Sequence, residues 1–185
     1  MDVKFNKLKS LILCAFCCAL TCLLSMPMFA IHIGPVPIVL GNLGVYFAAG
    51  LLGAKFGALS TLIYLILILF GLPFTASSKA GPAVFLGPTG GYLIGYVFMA
   101  MITGFFYRSI LACCLKKFFA LVISGCFGTL ICYIMGTIQF MVVTKTGLMK
   151  SLVCCVFPFI IGDFLKICAA ALVVPKVENL VAKFN

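Results

Sequence analysis

From Leu8 onward the chain is a succession of apolar runs, interrupted by prolines, glycines and isolated charges, and that pattern fixes its solvent as lipid. The breaks delimit about six runs, given that one helical crossing of a bilayer needs ~20 apolar residues. They cover about Leu8 to Met26, Ile38 to Gly53 (short for a full crossing), Phe56 to Leu72, Thr89 to Tyr107, Lys117 to Val143 and Leu152 to Val174. Charged residues are 9% of the 185, where a soluble domain carries about 25%, which excludes a water-soluble fold with a greasy core. The expected fold class is therefore an all-α integral membrane protein with six transmembrane helices, a single membrane domain over residues 1–185. That leaves no length for a soluble engine such as an ATPase, which would have to be a separate chain.

Basic residues orient the bundle. With the N-terminus in the cytoplasm, the inner side collects Lys4, Lys7, Lys9, Lys55, Arg108, Lys116, Lys117, Lys176 and Lys183, against Lys79, Lys145 and Lys150 outside. Cytoplasmic loops are enriched in Lys and Arg, so both termini are expected in the cytoplasm of a multi-pass protein of the cytoplasmic membrane. The net charge of +10 then reflects topology, and no nucleic-acid partner is needed to explain it. Lys4, Lys7 and Lys9 ahead of an apolar run resemble a signal peptide, but the run lacks a clear A-x-A site and is long enough to span. We read it as a retained first helix. The Pro- and Gly-rich segments at roughly 27–37 and 73–88 fall on the outer face, as lids over a site that opens outward.

Eleven cysteines suggest metal or disulfides, yet most fall inside the apolar runs, and the single histidine, His32, is far from most of them. No Cys/His metal constellation can be drawn, and buried cysteine behaves as a small hydrophobe. Nor is there a nucleophile with a base and an orienting group, so no catalytic residue, enzyme activity, cofactor or metal is expected. No internal repeat of the kind that builds self-sufficient alternating-access carriers is found, which favours a binding subunit.

Asp163 is the one acidic residue between Asp2 and Glu178, and it lies within FPFIIGDFLKICAAALVV. A carboxylate at membrane depth costs about 2.5–3.5 kcal/mol, so such a residue normally marks a functional site. Lys166 shares its helix face at spacing i, i+3. Two readings fit: a helix-stabilising ion pair facing the bundle interior, or the polar floor of an outward-opening apolar cavity. The other polar side chains of the runs are few, chiefly Asn42, Tyr64, Tyr92, Tyr96, Tyr133 and Gln139, a composition suited to a small ligand with an apolar body. In GPTGGYLIGY, Gly91 permits close approach of a backbone and Tyr92 offers a hydroxyl, although a Gly-rich packing face gives the same pattern. Ala15 and Ala19, four apart on the first helix, form a small-residue stripe against which another membrane helix could pack.

Three segments, IGPVPIVLGNLGVYFAAGLLGAKFGALS, LGPTGGYLIG and PFIIGDFLK, resemble in order the BioY-type biotin-binding S components of energy-coupling-factor (ECF) vitamin transporters. The resemblance covers nearly the whole chain. It implies a six-helix bundle that binds biotin from outside with high affinity and docks, through Ala15 and Ala19, on a transmembrane scaffold subunit driven by two ATPase subunits that use ATP. It also implies Asp163 and Lys166 as ligand contacts: Asp163 accepting a ureido N–H, and Lys166 donating to the ureido carbonyl or neutralising Asp163. The chain departs from the family pattern where PITLQT is replaced by Pro37-Ile-Val-Leu-Gly-Asn42, and where PFIPGD carries Ile161. In the loop after the third helix, Ser77 or Ser78 takes the place of an Asn contact. The expected ligand-binding set is thus Asp163, Lys166, Ser77, Ser78, Gly91, Tyr92 and Gln139. Two alternatives remain at this point: an S component for another small vitamin, and a non-transporting membrane scaffold.

Overall fold

The computed structural model of the chain describes residues 7–31, 37–113 and 115–183. Lys4, His32, Gly34 to Val36 of the first outer segment, and Cys114 lie outside the described residues.

Helix α1 (Lys7–Leu24) stops shortly before Pro27, where the residue ahead of a proline is driven out of helical conformation. Met26 is accordingly extended, at φ −65° and ψ 154°. A 3-10 turn over Pro27–Phe29 leads into a two-residue antiparallel ladder, β1 (Ala30–Ile31) with β2 (Ile38–Val39), pairing Ala30 with Val39 and Ile31 with Ile38. This short ladder is the only strand pairing among the described residues, and it sits where an outer lid was expected.

Helix α2 (Gly41–Leu69) takes in both the second and the third apolar runs. Its two arms meet at Gly53, whose φ of 75° and ψ of −171° only glycine adopts without strain. A Cβ on Gly57 would stand 3.0 Å from the Cα of Ala49, yet residues eight apart on a straight helix are separated by about 12 Å. The chain therefore reverses at Gly53, and the arms run antiparallel. The turn expected at Lys55 falls two residues earlier, on the residue that can take left-handed φ.

The segment after α2 contains a short helix, α3 (Pro82–Leu86), opened by its own proline; α4 (Gly90–Ala112) follows. Helix α4 outruns its expected end at Tyr107 because Arg108 is accommodated: its guanidinium donates to the Leu51 carbonyl at 3.3 Å. Helix α5 covers Lys117–Thr144.

The last apolar run needs correction. It is two helices, α6 (Leu148–Cys155) and α7 (Phe157–Lys183), separated at Val156 (φ −126°, ψ −59°). Pro158 explains the break: it fits the first turn of a new helix, where its missing N–H has no intrahelical partner to lose, but not the interior of a continuing one. Pro175, taken from sequence as a stop, lies inside α7. Packing carries the helix past it, with Val174 fully buried and Glu178 held by Lys117 at 2.7 Å.

Helices α1, α2, α4, α5 and α7 are long and apolar enough to cross a membrane. The helix pairs α4 with α5, α2 with α4, and α1 with α2 form the main contacts, and α7 packs on α5 and α2. Ser25, Asn42, Tyr133 and Asp163 gather toward one end; Leu51, Gly53, Tyr107, Lys117 and Glu178 gather at the other. Between them lies a core of Val45, Tyr46, Ala49, Met99, Leu121 and Ala170. Large apolar side chains such as Phe16, Phe105, Phe119 and Phe127 point outward, as a lipid-facing surface requires.

At Gly104 a Cβ would meet backbone, 2.5 Å from the amide nitrogen of Ala54 and from the carbonyl carbon of Gly53. Helix propensity favours Ala over Gly by about 1 kcal/mol. Backbone at the hairpin turn cannot yield cheaply, so overpacking wins. Gly104→Ala is expected to lower stability by about 1–3 kcal/mol, read as a fall in thermal midpoint in detergent.

Candidate polar site beneath the loops

The site is assembled from three distant stretches of sequence. The first arm of α2 brings Asn42 on its opening turn, directly after β2 and Val39. Helix α5 contributes Tyr133, and α7 contributes Asp163 and Lys166 on one face. Asp163, Lys166 and Asn42 are 4%, 7% and 7% exposed, and Tyr133 is half-buried.

Their hydrogen bonds close on one another. Asp163 Oδ1 accepts from Lys166 Nζ at 2.9 Å and from Asn42 Nδ2 at 2.7 Å, while Asp163 Oδ2 accepts from the Tyr133 hydroxyl at 2.6 Å. Lys166 Nζ also donates to Asn42 Oδ1 at 3.1 Å and to the Val39 carbonyl at 2.6 Å. An ammonium group has three N–H donors, and all three are engaged. The buried pair is thus neutral overall and supported by charge-assisted bonds, which is the condition under which two ions persist in a low-dielectric interior.

Two cavities adjoin at this end. The smaller, about 50 Å³, is bounded by Asn42, Tyr92, Tyr133, Asp163 and Lys166. The larger, about 300 Å³, is bounded by Ser25, Tyr64, Ser77, Lys79 and Thr89 among others. They share Pro37, Val39 and Tyr96 as common walls. The larger volume lies at the lower bound of ordinary small-molecule pockets, ~300–1,000 Å³, whereas the smaller falls well below that range. At the edge of the larger cavity the Ser25 hydroxyl is buried without a hydrogen-bond partner among the described residues.

The residues expected from sequence divide accordingly. Asp163, Lys166 and Tyr92 meet at the smaller cavity, where the Tyr92 hydroxyl donates to the Cys155 carbonyl at 3.0 Å. Ser77 faces the larger cavity, but Ser78, exposed and at φ 54°, borders neither. Gly91 and Gln139 also border neither of these two cavities. A Cβ on Gly91 would lie 2.5 Å from the Met135 carbonyl oxygen, so its place is the tight crossing of α4 on α5. Gln139 Nε2 donates to the carbonyls of Phe85 and Gly87 at 2.5 and 2.9 Å, tying α3 and the following turn to α5. In this arrangement Lys166 neutralises Asp163 and its three donors are engaged within the chain.

Two members of the network, Asn42 and Tyr133, are not in the ligand-binding set expected from sequence. Their only signal in the sequence is that they are polar side chains within apolar runs; nothing there connects residue 42 with residue 163. Ala15 and Ala19 lie on the outward face of α1, opposite Cys14, Cys17 and Thr21, which pack inward. The two alanines leave a shallow strip between the exposed side chains of Leu11, Phe16 and Leu23.

Comparison with known proteins places this architecture. The family model described as BioY matches residues 1–183. The biotin transporter BioY of Lactococcus lactis subsp. cremoris is 35% identical over 176 residues, covering 94% of this chain and 93% of that protein. The biotin transporter BioY of Thermotoga maritima is 34% identical, covering 82% of this chain and 86% of its own length. Among solved structures, the crystal structure of the S component for biotin from an ECF-type ABC transporter superposes with a TM-score of 0.85 at 33% identity, over 97% of this chain and 95% of that one.

Proposed function

This chain belongs to the BioY family, and on that premise we propose that it is the biotin-recognising S component of an ECF-type transporter in the cell membrane. The observation that carries the reading is the buried Asp163–Lys166 pair, held by Asn42 and Tyr133 beside a cavity lined by Pro37 and by residues of the segment from Thr75 to Thr89. A biotin ring system offers two ureido N–H donors, a carbonyl acceptor and an apolar sulfur ring. The carboxylate of Asp163 is the acceptor suited to a ureido N–H, and Lys166 pairs with that carboxylate at 2.9 Å. Each charge-assisted bond of this kind contributes ~1.5–3 kcal/mol. Ser25 and Ser77 supply hydroxyls along the larger cavity, and Lys79 at its rim supplies a cation for the carboxylate tail.

The membrane arrangement follows from the same premise. The chain is one membrane unit of six crossings, the two arms of α2 counting separately, with both termini in the cytoplasm. Ala15 and Ala19 form the strip that docks on a transmembrane scaffold subunit, and two separate ATPase chains hydrolyse the ATP. The chain itself carries no catalytic role.

Titration of the purified protein with biotin tests the reading. Saturable binding at a 1:1 ratio is expected, with pantothenate or riboflavin failing to compete. No heat of binding, or equal competition by an unrelated vitamin, would overturn it.

A further inference from the structure

Asn42 stands in an unusual chemical position. Its carbonyl oxygen accepts from Lys166 Nζ at 3.1 Å while its amide nitrogen donates to Asp163 Oδ1 at 2.7 Å. One carboxamide therefore makes, on one ion pair, the acceptor and donor bonds that one edge of a cyclic urea would make. A urea presents the same O=C–N–H array as an amide, with the same spacing between oxygen and N–H. The bonds that a ureido ligand would form with this pair are, in this arrangement, formed by the chain itself.

Volume points the same way. The cavity at the ion pair is about 50 Å³, smaller than a bicyclic ligand needs, and the adjoining cavity of about 300 Å³, which shares Pro37, Val39 and Tyr96 with it, is not lined by Asp163 or Lys166. Lys166 has no uncommitted N–H, and one of its three bonds runs to the Val39 carbonyl in β2. A ureido ligand can take the bond that Lys166 donates to Asn42, together with the matching bond to Asp163 Oδ1, only if Asn42 leaves them.

We propose that Asn42 is an internal surrogate for the ureido group, a side chain that occupies the recognition bonds of Asp163 and Lys166 and is displaced when the ligand enters. The proposal rests on the biotin reading given above. Its consequence is that Asn42 sets affinity by competition, since a ligand that binds one of two interconverting arrangements sees its apparent affinity reduced by the fraction in the other. Loss of the amide frees one N–H of Lys166 and one lone pair of Asp163 while leaving their mutual bond at 2.9 Å intact. Lys166 and Asp163 are the groups that touch ligand; Asn42 acts through them.

The test compares wild type with Asn42→Ala and Asn42→Leu, the second filling the same volume without polar atoms, by titration with biotin and with desthiobiotin, which shares the ureido ring but lacks the sulfur ring. Both variants are expected to bind both ligands about tenfold more tightly than wild type, and by the same factor, because the competing group is common to both cases. They are also expected to have lower thermal midpoints before ligand is added and larger rises on its addition. If wild type binds biotin and both variants bind it equally or more weakly, Asn42 is a positioning residue and the proposal is overturned while the biotin reading stands. If wild type binds neither ureido ligand, both fall. Should Asn42→Ala fail to fold, Asn42→Leu alone decides.

Discussion

Lys166→Met is expected to abolish biotin binding and to destabilise the bundle by about 3–5 kcal/mol, the effect of removing one partner of a buried pair. The residue left behind is a carboxylate at 4% exposure whose remaining neighbours, Asn42 and Tyr133, are neutral. A carboxylate so placed has lost the cation that compensates and orients it for a ligand N–H. The bond to a ureido N–H is then lost. The double variant Asp163→Leu/Lys166→Met separates the two consequences, because an apolar pair of similar volume replaces the ions without leaving either one uncompensated. Its thermal midpoint should return to near that of wild type, while binding should stay at least about a hundredfold weaker, the sum of two charge-assisted bonds at the low end of their range. Recovery of binding together with stability would show that the pair is only a strut of the bundle.

The second large effect concerns transport. Replacing Ala15 and Ala19 together by Trp should leave biotin affinity within about twofold of wild type, because both lie on the outward face of α1, remote from the cavity linings. Uptake of labelled biotin by cells that also make the scaffold and ATPase subunits should fall by at least about tenfold. Small residues four apart let two membrane helices approach until their backbones touch, and an indole there holds them apart. The same variant should no longer bring the ATPase chains down in co-purification. Unchanged uptake and unchanged co-purification would place the docking face elsewhere on the molecule.

Much of the architecture could be read from linear pattern. Hydropathy gave the membrane setting, and the limits of α1 and α5 follow the apolar runs to within a few residues, because a helix in lipid must satisfy its own backbone and so extends as far as the apolar run does. The errors fell where hydropathy carries no information. Val156 to Pro158 is apolar throughout, so the break between α6 and α7 depends on a proline's missing N–H. Pro175 broke the pattern but not the helix, because contacts around Val174 and Glu178 outweigh one lost hydrogen bond. Gly91 and Gln139 show a second limit of linear pattern. A glycine beside a tyrosine, or an amide in an apolar run, is the same in sequence whether it contacts a ligand, another helix or a loop carbonyl.

The sequence alone determined that this chain lives in lipid, that its helices lie along its apolar runs, and that Asp163 and Lys166 share one helix face. These follow from properties that act over one helical turn or one membrane thickness, namely transfer free energy and the 3.6-residue period. Tertiary structure decided the rest. Only folding brings Asn42, 121 residues from Asp163 in the chain, to 2.7 Å from its carboxylate. Only folding spends every donor of Lys166 and turns the chain back on itself at Gly53. A hydrogen bond has no memory of chain distance: it forms wherever donor and acceptor are buried together, and burial is a property of the whole bundle.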